Sequence, residues 1–196
     1  GPGYWAVGNL VIGLGMVLVL IQLDLTRPIF LPGMALIGAG LSLYINGIQA
    51  FIGRVPNHRI TIAVFVLLAV IDAYFMLMQH EIRATVVLSA IIFAGVYLYC
   101  ARLTFSRDEG LVGSLYWIAS SLYLLMAVLM LFRAAYAAQV VGDKFDTFAT
   151  WPVNAYTFML GAVSQFFISS LFVLMLSYKL TQNLESIATI DGLTNV

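Results

Sequence analysis

The sequence predicts an all-α integral membrane bundle of six transmembrane helices, with the last helix extended as a cytoplasmic coiled-coil stalk. Three observations lead there. Of 196 residues, 62% are hydrophobic and 9% charged, against roughly 25% charged in soluble domains, so a water-soluble fold of this length could not cover its apolar surface. Six apolar stretches approach the ~20 residues that cross ~30 Å of hydrocarbon. The last of them runs on past its apolar end with leucines and an isoleucine at helical spacing.

The stretches are 4–22, 29–53, 60–79, 84–104, 111–137 and 153–178. The first has no basic leader and no small-residue cleavage site, so it reads as a span rather than a signal peptide. Gly1-Pro2 reads as the remnant of a cleaved purification tag, which places the native bundle at residues 3–178. The links are short except 138–152, which carries Gly142, Asp143, Lys144, Asp146, Phe148 and Trp151. Short links make consecutive helices antiparallel neighbours. No internal repeat of the kind that builds transporters stands out.

Nine Lys plus Arg balance nine Asp plus Glu, so there is no basic field for nucleic acid. With the C-terminus inside, five basic residues (Arg54, Arg59, Arg102, Arg107, Lys179) lie on the cytoplasmic side and four (Arg27, Arg83, Arg133, Lys144) outside, a small bias in the direction that cytoplasmic loops usually show. The single Cys100 excludes an intramolecular disulfide and a cysteine metal cluster, and reads as a packing or lipid-facing residue. His58 and His80 fall on opposite sides of the membrane in this topology, which excludes a bis-histidine site. No catalytic motif or metal-ligand spacing is present, so neither a catalytic residue nor a metal site is expected.

Two helices carry small and polar residues on one face: Gly38, Ser42, Asn46, Gln49 and Gly53 on the second, and Asn154, Thr157, Gly161 and Gln165 on the sixth. Such stripes pack helices closely in lipid or line a cavity that water reaches. Asp72 is a carboxylate within a span, where a partner or a cavity is the default. Arg133 lies at comparable depth in the fifth helix, so an Asp72–Arg133 ion pair is one expectation. The other is an outer cavity for a polar ligand, with Asp72, Tyr74, Gln79, His80, Arg133, Tyr136, Trp151, Asn154, Tyr156 and Gln165 as candidate lining. Tyrosines and tryptophans at span ends also serve as interfacial anchors.

The sixth segment is the most informative. Leu180, Leu184 and Ile187 follow its apolar run at spacings of four and three, with Lys179, Gln182, Asn183 and Glu185 on the polar sides, a short coiled-coil seam over 179–189. From 153 to 187 the helix would extend about 50 Å, beyond the bilayer core. Its exposed leucines are expected to pair with the same helix of a second protomer.

The chain then reads Ala188-Thr189-Ile190-Asp191-Gly192-Leu193-Thr194-Asn195-Val196, and 190–196 resembles the opening of a GGDEF domain, the catalytic domain of diguanylate cyclases. Those domains begin with Asp-x-Leu-Thr-Gly-Leu-x-Asn-Arg after a coiled-coil signalling helix. Asp191, Leu193 and Thr194 match; Asn195 stands where Gly is usual and Val196 where Leu is usual. The membrane portion is similar in layout to the multi-span sensor regions that precede GGDEF domains in bacterial proteins, which often have one further span upstream.

The resemblance implies a sensory and dimerisation domain in the bacterial cytoplasmic (inner) membrane, with its C-terminus in the cytoplasm. Its partners would be the lipid bilayer, a second copy and a small ligand or lipid. The chain itself would be no enzyme and hold no cofactor. The parent would be a cyclase that condenses two GTP, with Mg²⁺, into cyclic di-GMP. The competing expectations are a small-solute transporter or channel, a membrane enzyme built around Asp72, and a passive anchor.

Overall fold

The computed structural model describes residues 1–24, 32–75, 82–105, 111–139 and 152–193. Among these residues the chain is entirely helical: α1 (Pro2–Asp24), α2 (Gly33–Phe51), α3 (His58–Ala73), α4 (Ile82–Thr104), α5 (Leu111–Gln139) and α6 (Pro152–Leu193). Five of them, all but α3, are long and apolar enough to cross a membrane. The expected third span is represented by the 16 residues of α3, about 24 Å of helix, and its expected continuation at 76–79 lies outside the described residues. The helix boundaries differ in two informative places. α1 already begins at Pro2, where a proline is preorganised for the first helical position. α6 continues without a break through Asp191 to Leu193, so 190–193, the described part of the stretch that resembles a domain opening, belong to the same rod.

The helices run alternately up and down. Trp5 meets Phe51 at 5.6 Å between ring centroids, Phe51 meets Tyr116 at 6.3 Å, and Phe105 meets Trp117 at 4.5 Å. One end of the bundle therefore gathers the start of α1, the end of α2, the start of α3, the end of α4 and the start of α5; it is called proximal below. At the distal end the Arg133 guanidinium lies 5.8 Å from the Phe158 ring. α6 enters there and returns to the proximal end, where Lys179 Nζ lies 5.0 Å from the Phe51 ring centroid and 3.4 Å from the Phe51 carbonyl oxygen. An ammonium at the last carbonyl of α2 is favoured by that helix's dipole.

Helices α1, α2, α4, α5 and α6 form a ring in which each packs on the next and α6 closes back on α1, while α3 lies against α2 and α4. The exterior is apolar. Leu10 is 74% exposed, Phe166 70% and Phe132 60%, an unfavourable surface in water and the expected one in lipid. The chain is thus a multi-pass helical membrane bundle.

The tightest seam is α1 on α2, where glycines meet in pairs. A methyl group at Gly40 would lie 2.7 Å from the Gly8 carbonyl oxygen, and one at Gly33 would lie 2.9 Å from that of Gly15. Each pair recurs seven residues along both helices, with Trp5, Ile12 and Val19 buried at the same spacing. Removing the side chains lets the two backbones touch, which supplies dispersion contact where lipid gives no hydrophobic drive.

The α2 stripe works differently along its length. Asn46 Nδ2 donates to Thr61 Oγ1 at 2.9 Å, and the Asn57 amide donates to Gln49 Oε1 at 2.9 Å, so these polar residues fasten α2 to the start of α3. Asn57 also caps α3 by accepting from the Arg59 amide at 3.2 Å. Gly53, expected on the stripe, instead lies past the helix end at φ 76°, the left-handed turn that ends α2. Between α4 and α5 alanines take the glycines' place, and Ser120 Oγ donates across the interface to the Ala101 carbonyl at 3.0 Å. Cys100, 1% exposed, is a packing residue here.

Candidate functional site

Within the five-helix ring lies a cavity of about 60 Å³. Its walls are Ile12 and Met16 of α1, Met34, Ile37 and Leu41 of α2, Phe93 and Tyr97 of α4, Met126 and Met130 of α5, and Phe158 and Gly161 of α6. Three polar residues join them: Arg133, Thr157 and Gln165. A single water needs about 10–15 Å³ by this measure, so the space takes roughly four to six water-sized groups.

The polar residues sit at opposite ends. Thr157 and Gln165 are eight residues apart on α6, about 12 Å along the helix. Arg133 and Thr157, respectively 3% and 5% exposed, mark the distal end. Gln165 marks the deep end, where it belongs to a hydrogen-bonded cluster that ties three helices together. Its Nε2 donates to Asn9 Oδ1 at 3.0 Å and to the Tyr44 hydroxyl. The Tyr44 hydroxyl donates to Asn9 Oδ1 at 2.8 Å and lies 3.1 Å from Ser169 Oγ, which accepts from Asn9 Nδ2 at 3.3 Å. Tyr44 is 1% exposed. Within lipid such a cluster satisfies its members only while α1, α2 and α6 keep their register.

Between these ends the walls are apolar, and four of them are methionines. Unbranched thioether side chains re-pack easily around a guest. Gly161 opens the α6 wall, since a methyl group there would lie 3.8 Å from Met126 Cε and meet nothing closer.

The structure brings Arg133 and Gln165, of the ten candidate lining residues, into one cavity. Asp72 is 4% exposed on α3 and is not part of the lining, and its Oδ1 has no hydrogen-bond partner among the described residues. The expected Asp72–Arg133 ion pair is therefore not formed: α3 packs on α2 and α4, whereas Arg133 turns into the cavity on α5. Tyr74, Tyr136 and Tyr156 are exposed on the exterior at 50%, 37% and 62%. Tyr74 packs edge-on against Phe75, and Tyr136 stacks with Phe132. Gln79, His80 and Trp151 lie outside the described residues, as does Thr194; for Asn154, Asp191 and Leu193 only the helical backbone is described. No group of three or more metal-ligating side chains occurs among the described residues.

The sequence reading missed Asn9, Tyr44 and Ser169, and the four methionines. Their partners are separated by 35 to 160 positions, so no local spacing marks them. The α6 stripe did mark the lining: Thr157, Gly161 and Gln165 share one face at intervals of four. The seam residues Leu180, Leu184 and Ile187 lie on the same helix and are 54%, 67% and 60% exposed.

The fold and site define a multi-pass helical membrane protein with a small cavity among five helices and a helix about 63 Å long that runs from the cavity to the exposed Leu180, Leu184 and Ile187. No family model matches the chain, and neither a curated protein nor a solved structure matches it.

Proposed function

We propose that the chain is the membrane input and dimerisation domain of a diguanylate cyclase, with six spans in a bacterial inner membrane and its C-terminus in the cytoplasm. The observation that carries this reading is the continuity of α6. One unbroken helix of 42 residues presents Thr157, Gly161 and Gln165 to the cavity, passes the proximal end beside Phe51, and then carries Leu180, Leu184 and Ile187 on an exposed face ending at the Asp191-Gly192-Leu193 turn. An unbroken helix transmits rotation and translation along its length, whereas a loop absorbs them.

Cyclic di-GMP synthesis joins two GTP molecules with loss of two pyrophosphates, and each GTP is held with Mg²⁺ by one GGDEF domain. Two such domains must meet face to face. A seam that sets the spacing and rotation of two α6 helices therefore sets the rate, and a cavity contact that favours one packing of α6 over another shifts that spacing by its differential affinity. The chain's residues do no chemistry in this scheme.

The test is Leu184→Glu in the chain fused, beyond its last residue, to a GGDEF domain of known cyclase activity. Placing two carboxylates across an apolar seam costs several kcal/mol, so the dimer and the cyclic di-GMP output are both expected to fall by about tenfold or more. Unchanged dimerisation together with unchanged output rejects the seam.

A further inference from the structure

Leu180, Leu184 and Ile187 cover little more than one heptad, whereas a coiled coil is sustained over about three or four. α6 carries the same period back into its apolar run without a break. Steps of three and four from Leu180 toward the helix start reach Ser177, Val173, Ser170, Phe166 and Val163. Val163, Phe166 and Val173 are 47%, 70% and 62% exposed; Ser177 is exposed as well, and Ser170 partly so. The face that α6 turns to its own bundle is a different one, on which Ser164, Ile168, Phe172 and Met175 are buried. At 3.6 residues per turn the outward stripe lies about half a turn away from it. Phe167 and Leu174 are also exposed, but the seven-residue repeat through them runs on to Thr181 and misses Leu180 and Ile187.

We propose that the contact between protomers continues through the membrane as one left-handed pair of α6 helices, with a second copy of this chain seated on Val163, Phe166, Ser170, Val173 and Ser177. The inference rests on reading 180–187 as a dimer seam, and it extends that seam to 163–187, about three and a half heptads. Leu184 and Ile187 lie beyond the apolar span, which ends at Gln182, so lipid does not cover them and a partner helix does. A 3.5-residue repeat keeps one face toward that partner when the two helices wind around each other. Because α6 is unbroken, the helix that covers the leucines in water meets the same stripe in lipid. There the hydrophobic drive is absent and close approach of the backbones decides. Ser170 and Ser177, seven residues apart, allow that approach. The Ser170 hydroxyl donates to the Phe166 carbonyl at 2.9 Å, so it brings a small side chain and no unpaired donor to the contact. Phe166 and Val173 alternate with the serines as the large knobs. Since the stripe points away from the bundle, the two bundles lie on opposite sides of the α6 pair.

The experiment is cysteine cross-linking of the full chain in liposomes. Cys100→Ala supplies the background, and single cysteines are introduced by Ser170→Cys, Val173→Cys and Ser177→Cys. Leu10→Cys on α1 and Phe132→Cys on α5 are the lipid-facing controls. A disulfide needs two Cβ atoms within about 4.5 Å, so the three stripe positions are expected to give about tenfold more covalent dimer on oxidation than the controls. Ser170→Trp holds the two backbones apart and is expected to raise the dimer dissociation constant about tenfold or more, read by energy transfer between labelled chains on dilution into excess lipid. Ser170→Ala stays small and is expected to leave that constant unchanged. The cross-linking decides the matter should Ser170→Trp fail to fold.

Two results overturn the proposal: stripe cysteines that cross-link no more than those at Leu10 and Phe132, or a folded Ser170→Trp variant that dimerises as well as the unmodified chain. The two readings fail separately. If Leu184→Cys cross-links and Leu184→Glu lowers the output of the fusion, but the stripe cysteines do not cross-link, the membrane contact falls and the seam stands. If the stripe cysteines cross-link while Leu184→Glu changes neither dimerisation nor output, the membrane contact stands and the signalling seam falls.

Discussion

Gly40→Leu is expected to destabilise the bundle by about 3 kcal/mol or more, the upper range for overpacking a close-packed site. A methyl group alone at this position would meet Ile12 Cγ1 at 2.6 Å, the Gly8 carbonyl oxygen at 2.7 Å and the Ile12 amide nitrogen at 2.9 Å. Two of these atoms are backbone, so a side-chain rotamer change gives no relief and α1 must move away from α2. That movement also breaks the Asn9–Tyr44 hydrogen bond, which bridges the same two helices. Gly13 and Gly95 supply the controls, because a methyl group at either meets nothing within 4 Å. Gly13→Ala and Gly95→Ala are expected to be neutral or to stabilise by up to about 1 kcal/mol through reduced backbone freedom. Thermal unfolding of the detergent-solubilised protein measures all three. If Gly40→Leu unfolds no earlier than Gly13→Ala, the backbone contact between α1 and α2 does not exist.

Trp5→Ala is expected to have the next largest effect, about 3 kcal/mol, in the range for deleting a large buried aromatic side chain. The Trp5 ring stacks on Phe172 of α6 at 4.1 Å and 15°, tilts against Phe51 of α2 at 5.6 Å, and covers Gly47. It is 6% exposed. Together with the Lys179 contact to Phe51 it fixes where α6 leaves the bundle, so its loss also releases α6 at its exit. In the cyclase fusion, Trp5→Ala is expected to alter output even at temperatures where the bundle remains folded. Trp5→Phe keeps an aromatic ring on Phe172 and is expected to recover most of the stability. Equal damage from the alanine and phenylalanine variants would show that stacking is not what holds this end.

These two sites also show what a sequence reveals about such a fold. The helical class and the six segments follow from composition and run length, since an apolar stretch of about twenty residues has few alternatives. The length of α6 is equally visible, because Leu180, Leu184 and Ile187 extend the helical period into polar sequence. The glycine seam was written in the sequence as well, with Gly8 and Gly15 in one helix and Gly33 and Gly40 in the next. Small residues in an apolar run carry no polar signal of their own, and only the matching seven-residue interval in both helices marks them as a pair of faces.

Side-chain direction was the harder part. Run length suggests a similar depth for Asp72 and Arg133 and so invites a pair, yet depth says nothing about azimuth. Which way α3 turns depends on how Leu68 packs beneath Gly38, a contact between residues thirty positions apart. The polar stripes posed the same problem. Asn46 and Gln49 on α2 and Gly161 and Gln165 on α6 look alike in sequence. The first pair faces α3 and the second the cavity, and the order of helices around the ring decides it.

The central claim is that α6 transmits the state of the cavity to a seam between two protomers, and spin-label distance measurement in nanodiscs tests it most directly. Cys100→Ala removes the chain's one cysteine, and Gln182→Cys places the label on an exposed residue across the helix from Leu180 and Leu184. The account predicts a defined distance between labels on two protomers that changes by about 1–2 Å or more, the scale of interfacial helix shifts, when Gly161→Leu fills the cavity. Absence of any inter-protomer signal, or an identical distance in the two proteins, would contradict it.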